Sequence, residues 1–148
     1  MAAVPNTHQL RLIQRARSAH LATADGGAAP HLVPICFAYD GESFYSVIDQ
    51  KPKRPTGRPL KRVRNILSNP QVALLLDHYE EDWRRLWYLL VLGRAQLLER
   101  GDSQAAAVAL LRDKYPQYRK MDLDDGPVIK ITPSRLVDWS GGVAGAQP

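Results

Sequence analysis

Apolar residues recur first at helical spacing and then at strand spacing along the chain. Leu10, Ile13 and Arg17 lie near one another on a helical wheel, with Asn6 or Thr7 placed to cap, which predicts a helix ending around Ser18. From there the period shortens. Ser18 to Ala24 reads as a strand, Asp25-Gly26-Gly27 as a tight turn, and Ala29 to Tyr39 as a longer strand. In that longer run His31, Val33, Ile35, Phe37 and Tyr39 share one face, while Leu32, Pro34, Cys36 and Ala38 share the other. Pro30 and Pro34 point to an edge or a bulge. Asp40-Gly41 predicts a second turn and Glu42 to Ile48 a third strand, so the three strands are expected to form an antiparallel meander.

The next stretch, Asp49 to Pro59, is proline-rich and basic, the pattern of a loop. A short helix is expected from about Pro59 to Leu67, stopped by Asn69-Pro70. Gln71 to Tyr79 reads as a buried strand, Glu80 to Arg85 as a link, and Leu86 to Glu99 as a long strand with Gly93 at a bulge. Asp102 or Ser103 can cap a helix from Gln104 to Tyr115 that Pro116 ends. A final strand runs from Pro127 to Trp139, and a Gly/Ala/Pro tail, residues 141–148, is expected to be disordered. Six strands with short helices between them predict a mainly β, α+β chain: one small antiparallel barrel over residues 1–140.

Length and composition agree with one domain. The 148 residues are 45% hydrophobic and 24% charged, which excludes disordered, collagenous and coiled-coil classes. No apolar run approaches the roughly 20 residues that span a bilayer, and the first residues lack the pattern of a signal peptide. A single cysteine, Cys36, cannot form an internal disulfide, so a reduced, cytoplasmic protein is expected. The net charge of +5 is concentrated. Lys51, Lys53, Arg54, Arg58, Lys61, Arg62 and Arg64 form a run without an acid, and without those seven the chain would carry −2.

That basic run is the clearest candidate for chemistry. The loop supplies Lys51, Lys53 and Arg54, the helix after it puts Arg58, Arg62 and Asn65 on one side, and the helix start adds free N–H groups. Together these suit a phosphate or a polycarboxylate. Nucleic acid is not expected, because the run contains no aromatic residue on which a base could stack. No metal site is expected either: the four histidines lie apart, and Asp77, His78, Glu80, Glu81 and Asp82 read as a solvated acidic turn. Nucleophile-elbow, Walker and dinucleotide-binding motifs are absent, so no catalytic residue can be named. Trp83, Trp87, Tyr88 and Tyr79 form an aromatic group that reads as core, as a wall over a planar ligand, or as a subunit interface.

The order of elements, with Lys51-Pro52-Lys53-Arg54, the run Leu60 to Ile66, Asn69-Pro70, Val72 to Leu76 and Asp77 to Trp83 followed by Leu86-Trp87, resembles a known family. It is that of the pyridoxamine 5′-phosphate oxidase-like flavin and deazaflavin oxidoreductases, and within it the subgroup dependent on coenzyme F420. The resemblance covers Leu10 to Trp139. It implies an FMN-binding-protein-like split β-barrel of Greek-key type, assembled as a homodimer with two cofactor sites in clefts between subunits. It further implies hydride transfer between reduced F420 and a small organic substrate. The ring would lie near Pro34, Ile35, Ser46, Val47 and Ile48, and the phosphate would meet Lys51, Lys53, Lys61, Arg62 and Asn65. Trp83 and Trp87 would come from the other subunit or line the substrate side. Vitamin B6 oxidation is not expected, since no Lys, Arg or His follows Arg135. Seven positive charges exceed what FMN needs but suit F420, whose phosphate is followed by an oligoglutamate tail. An FMN-dependent reductase is the alternative, and a third reading is a non-catalytic binder of the cofactor or of another anion such as a tetrapyrrole.

Overall fold

The computed structural model describes residues 2–48 and 59–142. Seven strands form one antiparallel sheet: β1 (Ala19–Ala24), β2 (Pro30–Ile35), β3 (Ala38–Tyr39), β4 (Phe44–Val47), β5 (Gln71–His78), β6 (Trp87–Leu98) and β7 (Val128–Ser140). Their order across the sheet is β2-β1-β5-β6-β7-β4-β3. Three helices accompany them: α1 (Thr7–Arg15), α2 (Lys61–Ser68) and α3 (Asp102–Lys114).

The expected six-strand count and the N-terminal meander both need correction. The run from Ala29 to Tyr39 is two strands, broken at Cys36-Phe37. Its first half pairs with β1, and its second half pairs with β4 at the opposite edge of the sheet. The break has a physical cause. The Phe37 N–H donates to the Tyr115 hydroxyl (3.1 Å), and Lys114 Nζ donates to the Phe37 carbonyl (2.9 Å). Phe37 thus finds its partners on the end of α3 and leaves the ladder. Only three Cα steps separate Ile35 from Ala38, so the two outer strands lie within about 11 Å where they join. The sheet therefore curls into a barrel split along that seam.

Inside the curl, Leu21, Leu74, Leu76, Leu89, Val91, Phe44, Ile129 and Ile131 are almost fully buried, joined by Leu12 and Ile13 of α1 and Ile66 of α2. A second cluster forms where α3 lays Ala107, Val108 and Leu111 against Tyr45, Val47 and Val128. With the barrel interior on one side and α3 on the other, β4 is buried on both faces.

Local chemistry fixes the ends of these elements. Asn6 and Gln9 cap α1 reciprocally, and Gln9 Nε2 also donates to Asp138 (2.8 Å), tying α1 to β7. Gly93 sits at the register shift between β6 and β7, as its position in the sequence suggests. The last strand runs to Ser140, one residue past Trp139. The segment expected to be disordered starts in contact with the fold: the Gly141 N–H donates to the Leu86 carbonyl (2.9 Å), and residues 143–148 lie outside the described residues.

The outward face of the sheet carries apolar rows. Leu32, Ala22, Ala73 and Leu92 stand in register across four strands, and Pro34, His20, Leu75, Leu90 and Val137 form the next row. Most of these side chains are half-buried, and Leu32 is 67% exposed.

Candidate functional site

The start of α2 meets the β1–β2 turn. Asp25 shapes that turn by accepting from the N–H groups of Gly27 (2.8 Å) and Ala29 (3.0 Å) with one carboxylate oxygen. The bond from Ala29, then that from Gly27, holds its carboxyl below the ordinary value. Its second oxygen lies 3.6 Å from Lys61 Nζ, at the first position of α2. Leu60, which precedes the helix, supplies no side-chain cap, and the first turn contains no acid. That helix start keeps its positive end uncompensated by the cap, with Lys61 and half-buried Arg62 beside it.

One turn further on, Asn65 turns inward. It is 1% exposed and donates from Nδ2 to Thr23 Oγ1 (3.0 Å), because Val63 and Ile66 on either side are pulled into the interior. Thr23 and His31 face each other across β1 and β2. Asn65 Oδ1 and His31 Nδ1 are both buried without a hydrogen-bond partner among the described residues. This end of the barrel thus keeps polar capacity that no described group uses, and it fits the hydroxylated phosphate chain common to F420 and FMN.

The residues expected around the ring are dispersed. Pro34 and Ile35, being consecutive in a strand, face opposite ways: Pro34 outward and exposed, Ile35 into the core. Ser46 and Val47 are buried, Val47 toward α3, and Ile48 packs on the same core as Ile35. Lys51 and Lys53 lie outside the described residues.

The two tryptophans separate as well. Trp87 is core, 7% exposed, packed beside His78 and under the Arg15 guanidinium. Trp83 occupies a 3-10 turn (Trp83–Arg85) and is 61% exposed, so of the pair it is the one on the surface. Near it, Leu75, Tyr79, Leu86, Trp87, Tyr88 and Trp139 border a mostly apolar groove of about 290 Å³. In the acidic turn Glu80 pairs with His78 and Arg85, and Asp82 with Arg84.

Sequence reading missed Thr23, Asp25 and His31 as parts of this site. A signal existed for Thr23. It is the polar residue of the inward set Ala19, Leu21, Thr23, and a buried hydroxyl needs a partner.

Residues 7–140 match the pyridoxamine 5′-phosphate oxidase family in sequence. The chain belongs to that family. No protein of curated function matches this family member in sequence. Among solved structures it resembles the heme storage protein HutZ of Vibrio cholerae, at 17% identity over 91% of this chain and 94% of that one, with a TM-score of 0.70. A FAD-binding protein from Mesorhizobium loti matches at 18% identity over 93% and 96% of the two chains, with a TM-score of 0.66. A conserved hypothetical protein from Mycobacterium tuberculosis matches at 18% identity over 95% and 87%, with a TM-score of 0.75. The split barrel of the pyridoxamine 5′-phosphate oxidase family is therefore common to this chain and these proteins. Among the described residues no helix is long and apolar enough to cross a membrane.

Two shifted groups give this family member a distinctive alkaline profile. Burial, then repulsion from Arg17, brings Lys114 down to about 8, whereas burial and the bond to Asp40 push Tyr45 up to about 12. Between about 8 and 10.5 the folded chain has shed the Lys114 proton that the unfolded chain still holds, so this group makes stability rise with pH there. Between 10 and about 12 the folded chain keeps the Tyr45 proton that the unfolded chain loses, so stability falls. Urea unfolding across this range should show that maximum. Lys114→Met should remove the rise, and Tyr45→Phe should soften the fall.

Proposed function

We propose that this chain is a homodimeric oxidoreductase that holds F420 in clefts between subunits and passes hydride between it and a small organic substrate. The start of α2 carries the reading: Lys61 and Arg62 stand at a helix end without a side-chain cap, immediately after a run of further basic residues in the sequence. When bound, reduced F420 supplies the hydride. The chain's own part is to bind, orient and exclude water. Lys61 and Arg62, with Lys51 and Lys53, neutralise the phosphate and the acidic tail. Thr23, His31 and Asn65 offer hydrogen bonds beside it. The apolar rows of the sheet, closed by a second subunit bearing its own Trp83, shield the cleft.

FMN in the same position is the second reading, favoured by the FAD-binding protein of the same fold from Mesorhizobium loti. The likeness to HutZ supports a non-catalytic tetrapyrrole binder. Charge separates the first two, since a tail of glutamates uses cations that FMN leaves unpaired.

Parallel titrations with F420, tailless F420, FMN and hemin test the proposal, followed by assay for turnover. F420 should bind tightest, and loss of the tail should matter more at low salt than at high salt. Arg62→Ala should weaken F420 about tenfold or more even at high salt, the scale of a charge-assisted bond to phosphate. Tighter binding of FMN or hemin, or an Arg62→Ala variant that binds like the parent, overturns it.

A further inference from the structure

A second cleft lies away from α2, where α1, the end of α3 and the Cys36-Phe37 crossover meet. It holds about 440 Å³, within the range of small-ligand sites. Leu10 and Ile13 of α1, Phe37 of the crossover and Leu110 of α3 form its apolar part, and Gln14 and Asp113 also line it. Two cations stand in it. Lys114 Nζ lies 3.6 Å above the centre of the Phe37 ring and gives one N–H to the Phe37 carbonyl, which leaves two donors. Arg17 rests on the Tyr115 ring and bonds the Lys114 carbonyl (2.9 Å), which fixes its guanidinium beside the same helix end.

Neither cation pairs with a carboxylate among the described residues. Tyr39 also lines the cleft, and its hydroxyl is buried without a hydrogen-bond partner among the described residues. The other ionisable groups around Lys114 are Asp113 and Tyr115 on α3 and Cys36 at the crossover, with Asp40 following Tyr39. Two cations held against aromatic rings beside apolar side chains thus have no paired carboxylate among the described residues, although Asp113 shares the cleft.

We infer that this cleft is a binding site for a small carboxylate with an apolar body, its charge between Arg17 and Lys114 and its body on Leu10, Ile13, Phe37 and Leu110. The inference is independent of the F420 reading, since α2 takes no part in the cleft. A bound carboxylate would supply the missing counter-charge and favour the protonated Lys114, which burial and Arg17 otherwise disfavour. Binding above pH 8 is then accompanied by proton uptake.

The test uses the full chain, with 3-phenylpropionate as probe and uncharged 3-phenylpropanol as its control, followed by calorimetry and amide chemical shifts. The acid should bind about tenfold or more tightly than the alcohol at pH 7. Its shifts should centre on Leu10, Phe37 and Leu110, and its affinity should fall as pH passes 8. Arg17→Gln, an exposed change, should cost about tenfold in affinity for the acid while leaving the alcohol unchanged. Leu10→Glu, at a residue 36% exposed on the cleft wall, should exclude the acid. Equal binding of acid and alcohol, no saturable binding, shifts centred on α2, or an Arg17→Gln variant that binds like the parent overturns the inference.

Discussion

Gly93→Ala should lower the stability of the fold by about 2–4 kcal/mol, one of the largest effects of any single methyl group in this chain. A Cβ there would lie 2.5 Å from the Thr132 carbonyl oxygen and 3.2 Å from Pro133 Cα, both backbone atoms of β7. No flexible side chain can yield, so β6 and β7 would have to part at the bulge. The usual gain of about 0.4–1 kcal/mol from stiffening the unfolded chain is too small to offset that. For a chain of this size, such a loss corresponds to a fall in Tm of roughly 5–15 °C. Urea unfolding should show a lower midpoint with an unchanged slope. A variant as stable as the parent would mean that β6 and β7 do not approach as described.

Leu90→Arg should abolish dimerisation while leaving the monomer folded. Leu90 stands between Leu75 and Val137 in the middle of an outward apolar row and is half-buried in the single chain. In the proposed dimer this row meets its counterpart, and a guanidinium there would be buried without a partner, at a cost of several kcal/mol per interface. Exposed on a monomer, the same side chain is tolerated. Sedimentation should give a dimer for the parent at micromolar concentration and a monomer for Leu90→Arg, with unchanged far-UV circular dichroism. F420 binding should be lost together with the dimer, because the proposed site is shared between subunits. A parent protein that sediments as a monomer removes both the dimer and the shared cleft.

The elements that were legible in the sequence are those whose signal is local. Asn6, placed to cap, announces a helix start. Gly93, alone within an apolar strand, announces the bulge. The apolar run Val72 to Leu76 marks β5, and the basic run marks the start of α2. The break at Cys36-Phe37 was not legible, because alternation continues through it without interruption. What breaks the strand is Tyr115 and Lys114, nearly eighty positions later in the chain. The burial of Asn65 was not legible for a related reason. Helical spacing places it with Arg62, but which side of a short helix faces inward is set by the sheet it meets, here through Thr23. Trp87 likewise joins the core because the alternation of β6 turns it inward, while Trp83, in the preceding 3-10 turn, has no such constraint.

The place of β4 in the sheet has a consequence for how the protein comes into being. Its neighbours are the two-residue β3 and β7, whose Val128 pairs with Val47. On a ribosome, β1, β2, β5 and β6 can emerge and pair in sequence, but β4 must wait for β7, since Val47 pairs with Val128, far later in the chain. Until then Phe44 and Tyr45, both buried in the finished barrel, have one wall missing. The late closure is a slow step of the kind that contacts distant in sequence impose. A chain released before β7 is complete would expose the edges of β4 and β6, an invitation to pair with other chains.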